Sequence, residues 1–295
     1  VKGYRDLPGD GGSNIVEQVQ AQQARLAARM APIRATVAVV SGKGGVGKSS
    51  ITANLAGALA TRGLAVGVLD ADLNGPSLGK MLGVRGQALR VEPDGVCPAQ
   101  TAEGIRVLSM DLLLPADETP VVWDAPTQVE AHTWRGTMES TALREFLADT
   151  VWGALDVLLI DLPPGAERLP TLLDLLPGLT GAVVVTIPSA VSHLVVRRAM
   201  TLAHERGARL LGLIENMAGY ACPTCGAVGR LFEGPGGEVT ASQHGLPFLG
   251  RVPFDPRLAA AGDQGRPFVL DHGDTPAGRA LTGVAEALVK AVLPA

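Results

Sequence analysis

The run Val37–Ser50, VAVVSGKGGVGKSS, constrains this chain more than any other stretch. A short continuous apolar segment passes into a glycine-rich loop and then into the start of a helix. Gly42, Gly44 and Gly47 satisfy the dinucleotide spacing G-x-G-x-x-G, and with Lys48 and Ser49 the same residues satisfy the mononucleotide spacing G-x-x-x-x-G-K-[ST]. Glycines let the backbone turn so that several N–H groups converge on an anion. A helix starting near Lys48 adds its positive N-terminal dipole. Either pattern therefore demands a buried strand feeding a phosphate-binding turn.

The rest of the chain repeats that alternation. Strands are expected at TVAVVS, LAVGVLD, DVLLID, GAVVVTI, LLGLIEN and FLGRVPF, and helices at Ser49–Arg62, TMESTALREFLADT, the segment ending at Arg206, and AGRALTGVAEALVKAVL. Short strands with turns are expected between Gly86 and Met110. This order predicts an α/β fold, a mainly parallel sheet with helices on both faces. Residues 1–32 read as an N-terminal leader, a loop tract followed by the helix IVEQVQAQQARLAARM. Residues 33–295 read as one nucleotide-binding domain.

Three features favour the mononucleotide reading. Lys48 and Ser49 follow the last glycine directly: a P-loop uses that ammonium on the β- and γ-phosphates and that hydroxyl on Mg²⁺. DVLLID ends on Asp161, a carboxylate at the edge of a buried strand that suits the same metal. Lys43 is a second lysine inside the glycine loop, the mark of the deviant Walker A pattern. A nucleoside triphosphate and Mg²⁺ are thus the expected ligands. With a formal net charge of -4 and no Lys/Arg run, no nucleic-acid partner is expected. The apolar runs are too short to span a bilayer and the N-terminus shows no signal architecture, so the expected location is cytoplasmic, with no membrane partner. In the last helix Leu281, Val284, Ala285, Leu288 and Val292 fall at helical spacing and are expected in the core.

Taken in order, SGKGGVGKSS, LDADLNGPSLGKMLG, WRGTM, LLIDLPPG, IENMAGYACPTCG and GPGGE resemble the Mrp/ApbC-type P-loop ATPases, the carrier or scaffold proteins of iron–sulfur cluster assembly. The resemblance covers about Ile33 to Ala295 and implies a P-loop NTPase fold of the SIMIBI type, with MinD, ParA and the nitrogenase iron protein as more distant relatives. It implies that the nucleotide is ATP, with binding by Gly42, Gly44, Gly45, Val46, Gly47, Lys48, Ser49 and Ser50, magnesium chemistry at Ser49, Asp70 and Asp161, and activation of the attacking water by Asp72. Lys43 would reach the partner's nucleotide across a homodimer interface, as an arginine finger does. Asn216, at the end of its strand, resembles the residue that reads the adenine edge; capping of a strand-to-loop turn is the alternative.

Cys222 and Cys225, in CPTC, need their own account. A redox pair normally opens a helix, whereas this one runs on into GAVG. A structural zinc site takes four ligands, and so does a 4Fe–4S cluster. Two protomers about a twofold axis place the same loop opposite itself, and two plus two thiolates complete either set. A 4Fe–4S cluster shared between protomers is the preferred reading, with apoprotein recipients and cluster donors as partners. Zinc in its place and a turn with two buried thiols stay open. A ParA/MinD-type positioning ATPase is the competing function. Cys97 reads as a packed small hydrophobe.

The chain departs from the family pattern in places. The usual DLPPGTGD is DLPPGAERLP, which replaces an acidic residue around Glu167 and Arg168. TIPSAVS stands near the usual TTPQ, and Ser50 replaces a common Thr. The run VVWDAPTQVEAHTWRGTM is longer than usual before Trp134 and reads as a surface loop.

Overall fold

The computed structural model describes residues 15–116, 119, 128–165, 168–232 and 236–293. The loop tract before Ile15, the first part of the long run toward Trp134 and the Ala166–Glu167 pair fall outside them. Helix α1 (Ile15–Met30) precedes the first strand, β1 (Ile33–Ser41), whose residues after Arg34 are all buried. The glycine loop follows, then α2 (Lys48–Ala60) and β2 (Val66–Asp70). A short helix α3 (Leu78–Met81) leads to a small antiparallel hairpin, β3 (Arg90–Glu92) with β4 (Gly95–Cys97). Strands β5 (Ala99–Gln100) and β6 (Arg106–Leu108) rejoin the main sheet. Then come α4 (Gln128–Asp149), β7 (Leu155–Asp161), α5 (Arg168–Leu175), β8 (Gly181–Thr186) and α6 (Ala190–Glu205). The chain closes through β9 (Leu210–Ala221), β10 (Val228–Gly229), α7 (Gly237–Gln243), β11 (Phe248–Phe254), α8 (Arg257–Asp263), α9 (Phe268–Asp271) and α10 (Pro276–Val292).

The main sheet runs β10-β9-β8-β1-β7-β2-β6-β5, with β11 also pairing β9. Pairings among β1, β2, β6, β7, β8, β9 and β11 are parallel, and only β5 and β10 join antiparallel. Side chains alternate across a strand, so β1 feeds two cores. Val37 and Val39 pack with α2 and α10, while Ala38 and Val40 pack on the face holding Leu143, Leu147 and Leu172. Helices therefore cover both faces, as the alternating pattern predicts. In α10, Leu281, Val284, Ala285, Leu288 and Val292 are all buried, and Thr275 caps the helix by accepting from the Gly278 amide. Helix α1 lies against α4, with Leu26 buried.

Two expectations need correction. Strand β9 does not stop at Asn216 but continues to Ala221. Neighbouring backbone supplies the ladder there: β11 pairs Val252 with Asn216 and Phe254 with Tyr220, and β10 pairs with Tyr220 and Ala221. Gly219 permits that closeness, since a Cβ on it would lie 2.6 Å from the Gly229 carbonyl oxygen. The run before Trp134 is also not a surface loop throughout, because α4 already begins at Gln128. Its long helical register is held from the far end, where Leu143, Leu147 and Ala148 enter the core. Cys97 is half-buried on the β3–β4 hairpin, outside the main core.

Candidate phosphate site and thiol hairpin

Strand β1 delivers the glycine loop to the C-terminal edge of the sheet. Gly45 and Gly47 both take left-handed backbone, with φ near +77. At Gly47 the need for glycine is twofold, because a Cβ would also lie 2.4 Å from Asn216 Nδ2. The turn is pinned in place: the Ser41 hydroxyl donates to the Lys43 carbonyl at 3.0 Å, and the Gly165 amide donates to the Ser41 carbonyl at 3.0 Å. The side chain of Val46 is buried, and its carbonyl accepts from Asn216 Nδ2 at 2.9 Å.

Asp161 ends β7 and is fully buried. Its Oδ2 accepts from Lys48 Nζ and from Ser49 Oγ, each at 2.6 Å, and its Oδ1 accepts from Thr52 Oγ1 at 2.6 Å. A buried carboxylate is tolerated only when its charge and lone pairs are met, and here one ammonium and two hydroxyls meet them. Asp70 sits beside Asp161 in register on β2. Burial and the neighbouring Asp161 charge push its carboxyl up to about 7, against the hydrogen bonds it accepts from the Leu78 and Ser77 amides and from Ser109. Ser49, Asp70 and Asp161 thus offer hard oxygen donors grouped at one strand edge, a donor set that suits Mg²⁺.

The remaining predicted residues fall around this centre. Asp72 is half-buried on the loop after β2, and its Oδ1 accepts from the Gly75 amide at 3.2 Å. Lys43 is half-buried in the glycine loop. A cavity of about 240 Å³ opens beside Gly47 and Ser50, lined also by Asn54, Asn216, Met217 and Phe254. A larger one, about 710 Å³, lies under α1 at the opposite end of the sheet and does not reach the loop. Two contributors escape motif reading. Thr52 lies one helical turn from Lys48, an i,i+4 relation that could have pointed to it. Ser109 bonds Asp70 across 39 residues and leaves no local signal.

The cysteines stand apart from the phosphate site. Cys222 follows the end of β9, and a tight turn closes on it: the Gly226 amide donates to the Cys222 carbonyl at 2.8 Å, and the Cys222 amide to the Ala227 carbonyl at 2.9 Å. Hydrogen bonds from the backbone amides of Cys225 and Thr224 hold the Cys222 thiol below the ordinary thiol range, which favours the metal-binding thiolate. Cys225 is exposed and Cys222 half-buried. Among the described residues no three Cys, His, Asp or Glu side chains gather as a metal site, so this pair offers two thiols per chain. Tyr220, Val228, Leu231 and Phe232 flank the pair in sequence and are exposed apolar side chains.

Comparison with known proteins identifies the family. A family profile described as ParA, NUBPL iron-transfer P-loop NTPase, matches residues 32–289. The chain is 43% identical over 279 residues to a protein of Saccharolobus solfataricus named iron-sulfur cluster carrier protein, covering 94% of this chain and 90% of that one. It is 39% identical to the human cytosolic Fe-S cluster assembly factor NUBP2, covering 89% of this chain and 94% of that one. Among solved structures, a nucleotide-binding protein of Archaeoglobus fulgidus in complex with ADP superposes with a TM-score of 0.69 at 35% identity, over 83% of this chain and 92% of that one.

Proposed function

This chain belongs to the ParA, NUBPL iron-transfer P-loop NTPase family, and from that premise we propose that it is an ATP-hydrolysing carrier that holds a 4Fe–4S cluster between two copies of itself and delivers it to apoproteins. One observation carries the reading: a single strand serves both ends of the task. On β9, Asn216 grips the Val46 carbonyl of the phosphate loop, and the same strand runs on directly to Cys222. A change at the phosphate loop therefore has a short route to the thiols along one strand, through the left-handed Met217 and the bulge beside it.

On the fuel side, the loop amides and Lys48 cradle the phosphates of ATP, and Asp72 orients the attacking water. Ser49, Asp161 and Asp70 would hold Mg²⁺, which neutralises phosphate charge. Lys48 and Ser49 both bond Asp161 Oδ2, so a phosphate or metal drawn to either is felt at the end of β7. Asn216 borders the cavity beside the loop and reads the base there. Lys43 acts on the nucleotide of the second copy.

On the cargo side, two thiolates from each copy complete the four that a cubane takes. The exposed apolar residues beside the hairpin suit burial against the same surface of a second copy about a twofold axis. Release is ligand exchange: a recipient thiolate replaces a carrier thiolate on iron, and no electron changes hands. In this reading the carrier works in the cytosol, the compartment in the human relative's name.

Anaerobic reconstitution with iron and sulfide tests the cargo reading. Wild type should take up about four irons per dimer with a brown chromophore, and Cys222→Ala/Cys225→Ala should stay colourless. Equal uptake by the double variant, or stoichiometric zinc bound through the same thiols, would overturn it.

A further inference from the structure

Glu139 lies in α4, outside every motif that pointed to the phosphate site, yet it is buried. Both of its oxygens are engaged. Oε1 accepts from Asn74 Nδ2 at 2.7 Å, and Oε2 accepts from Arg168 Nη1 at 2.7 Å. The two donors belong to different segments. Asn74 stands two residues beyond Asp72, on the loop leaving β2. Arg168 opens α5, just after the Pro163–Gly165 turn that leaves Asp161. That turn is itself tied to the phosphate strand through Gly165 and Ser41. One carboxylate thus clasps the loop bearing Asp72 to the segment leaving Asp161.

A buried carboxylate is costly unless it is fully paired, so the clasp has a defined geometry. Without Glu139, Arg168 would lose its partner and Asn74 an acceptor. Arg168 stands in DLPPGAERLP, the segment that departs from the expected family pattern.

We propose that Glu139 is a positioning residue for ATP hydrolysis: it holds the Asp72 loop and the Arg168 helix in one arrangement, so that Asp72 meets the attacking water in register. The inference rests on the ATPase reading above. It assigns Glu139 no contact with nucleotide. Its effect therefore falls on turnover and leaves ground-state binding alone.

The test is steady-state ATPase kinetics on the full chain, with ATP affinity and thermal unfolding measured alongside. Glu139→Gln should lower kcat about tenfold, the scale of a small misplacement of a reacting group, with KM and ATP affinity within about twofold on the same grounds. Arg168→Lys, which keeps the ion pair, should retain most of the activity, whereas Arg168→Ala should not. Asn74→Ala, on an exposed loop, should lower kcat in a well-folded protein. Combined with Glu139→Gln it should cost no more than Glu139→Gln alone, because both break one clasp. Wild type that turns over ATP while Asn74→Ala and Glu139→Gln match it would overturn this inference alone. Losses that simply follow the folded fraction would overturn it too. Wild type without turnover removes the ATPase reading, and this inference with it.

Discussion

Asn216 on β9 and Val46 in the phosphate loop share a buried hydrogen bond of 2.9 Å, side-chain amide to main-chain carbonyl. It spans 170 residues and ties the phosphate loop directly to the strand that leads to the thiols. Asn216→Ala leaves the Val46 carbonyl without this donor. Unfolding by denaturant should show a loss of about 1–3 kcal/mol, and calorimetric titration should show weaker nucleotide binding. Wild-type values in both would mean that the bond is idle.

Gly47→Ala attacks the same contact from the other side. The new methyl meets Asn216 Nδ2 and must also adopt a left-handed backbone. Nucleotide affinity should fall at least tenfold, the effect of about 1.4 kcal/mol, in a chain that keeps its far-ultraviolet circular dichroism. Full affinity would show that the loop can re-form around a side chain.

Lys48→Met removes the ammonium that balances Asp161. Two hydroxyl donors stay, but the buried carboxylate is left without its counter-charge. The nucleotide-free protein should lose about 3 kcal/mol, and Asp161→Asn in the same chain should recover part of the loss. Nucleotide binding should vanish. A Lys48→Met chain as stable as wild type would show that water reaches Asp161 freely.

Asp72→Ala separates binding from chemistry. Among the described hydrogen bonds the carboxylate accepts from its own turn, through the Gly75 amide. ATP affinity should hold while turnover falls about a hundredfold, the lower range for losing a group that assists proton transfer or orients water. Unchanged turnover would strip Asp72 of its role.

Asp255 gives the fold a pH response of its own. Its buried carboxylate accepts from Arg257 Nε at 3.0 Å and Nη2 at 2.7 Å, and these bonds hold it below the usual carboxylate range. A depressed pKa contributes stability above the unfolded value, and that stability is lost as pH falls through the folded one. Wild type should therefore exceed Asp255→Asn in melting temperature at neutral pH, and the gap should close below the ordinary aspartate pKa of 3.8. A gap independent of pH would point to packing instead of charge.

Much of this was legible in the chain itself. Buried strands such as β1, β7 and β8 are unbroken apolar runs, and the carboxylates that end β2 and β7 mark the edge where the phosphate loop lies. What stayed hidden depends on distant partners. The second half of β9 contains Ala218 and Gly219, weak strand formers, and exists because β10 and β11 supply its ladder. Glu139 looks like an ordinary helix carboxylate until the fold brings Asn74 and Arg168 to it, from 65 and 29 residues away. The start of α4 was obscured by the polar, aromatic mixture QVEAHTWRG, which has no clear apolar period.

The stretch from Asn216 to Cys222 carries a kink between its two ends. Met217 takes a left-handed backbone with φ 53, and from Asn216 to Tyr220 four residues of β9 are set against two of β11, from Val252 to Phe254, the pattern of a bulge that bends and re-aims a strand. The direction in which the sulfur-bearing turn leaves the sheet is therefore set one residue beyond the grip on Val46, at a residue that is not glycine.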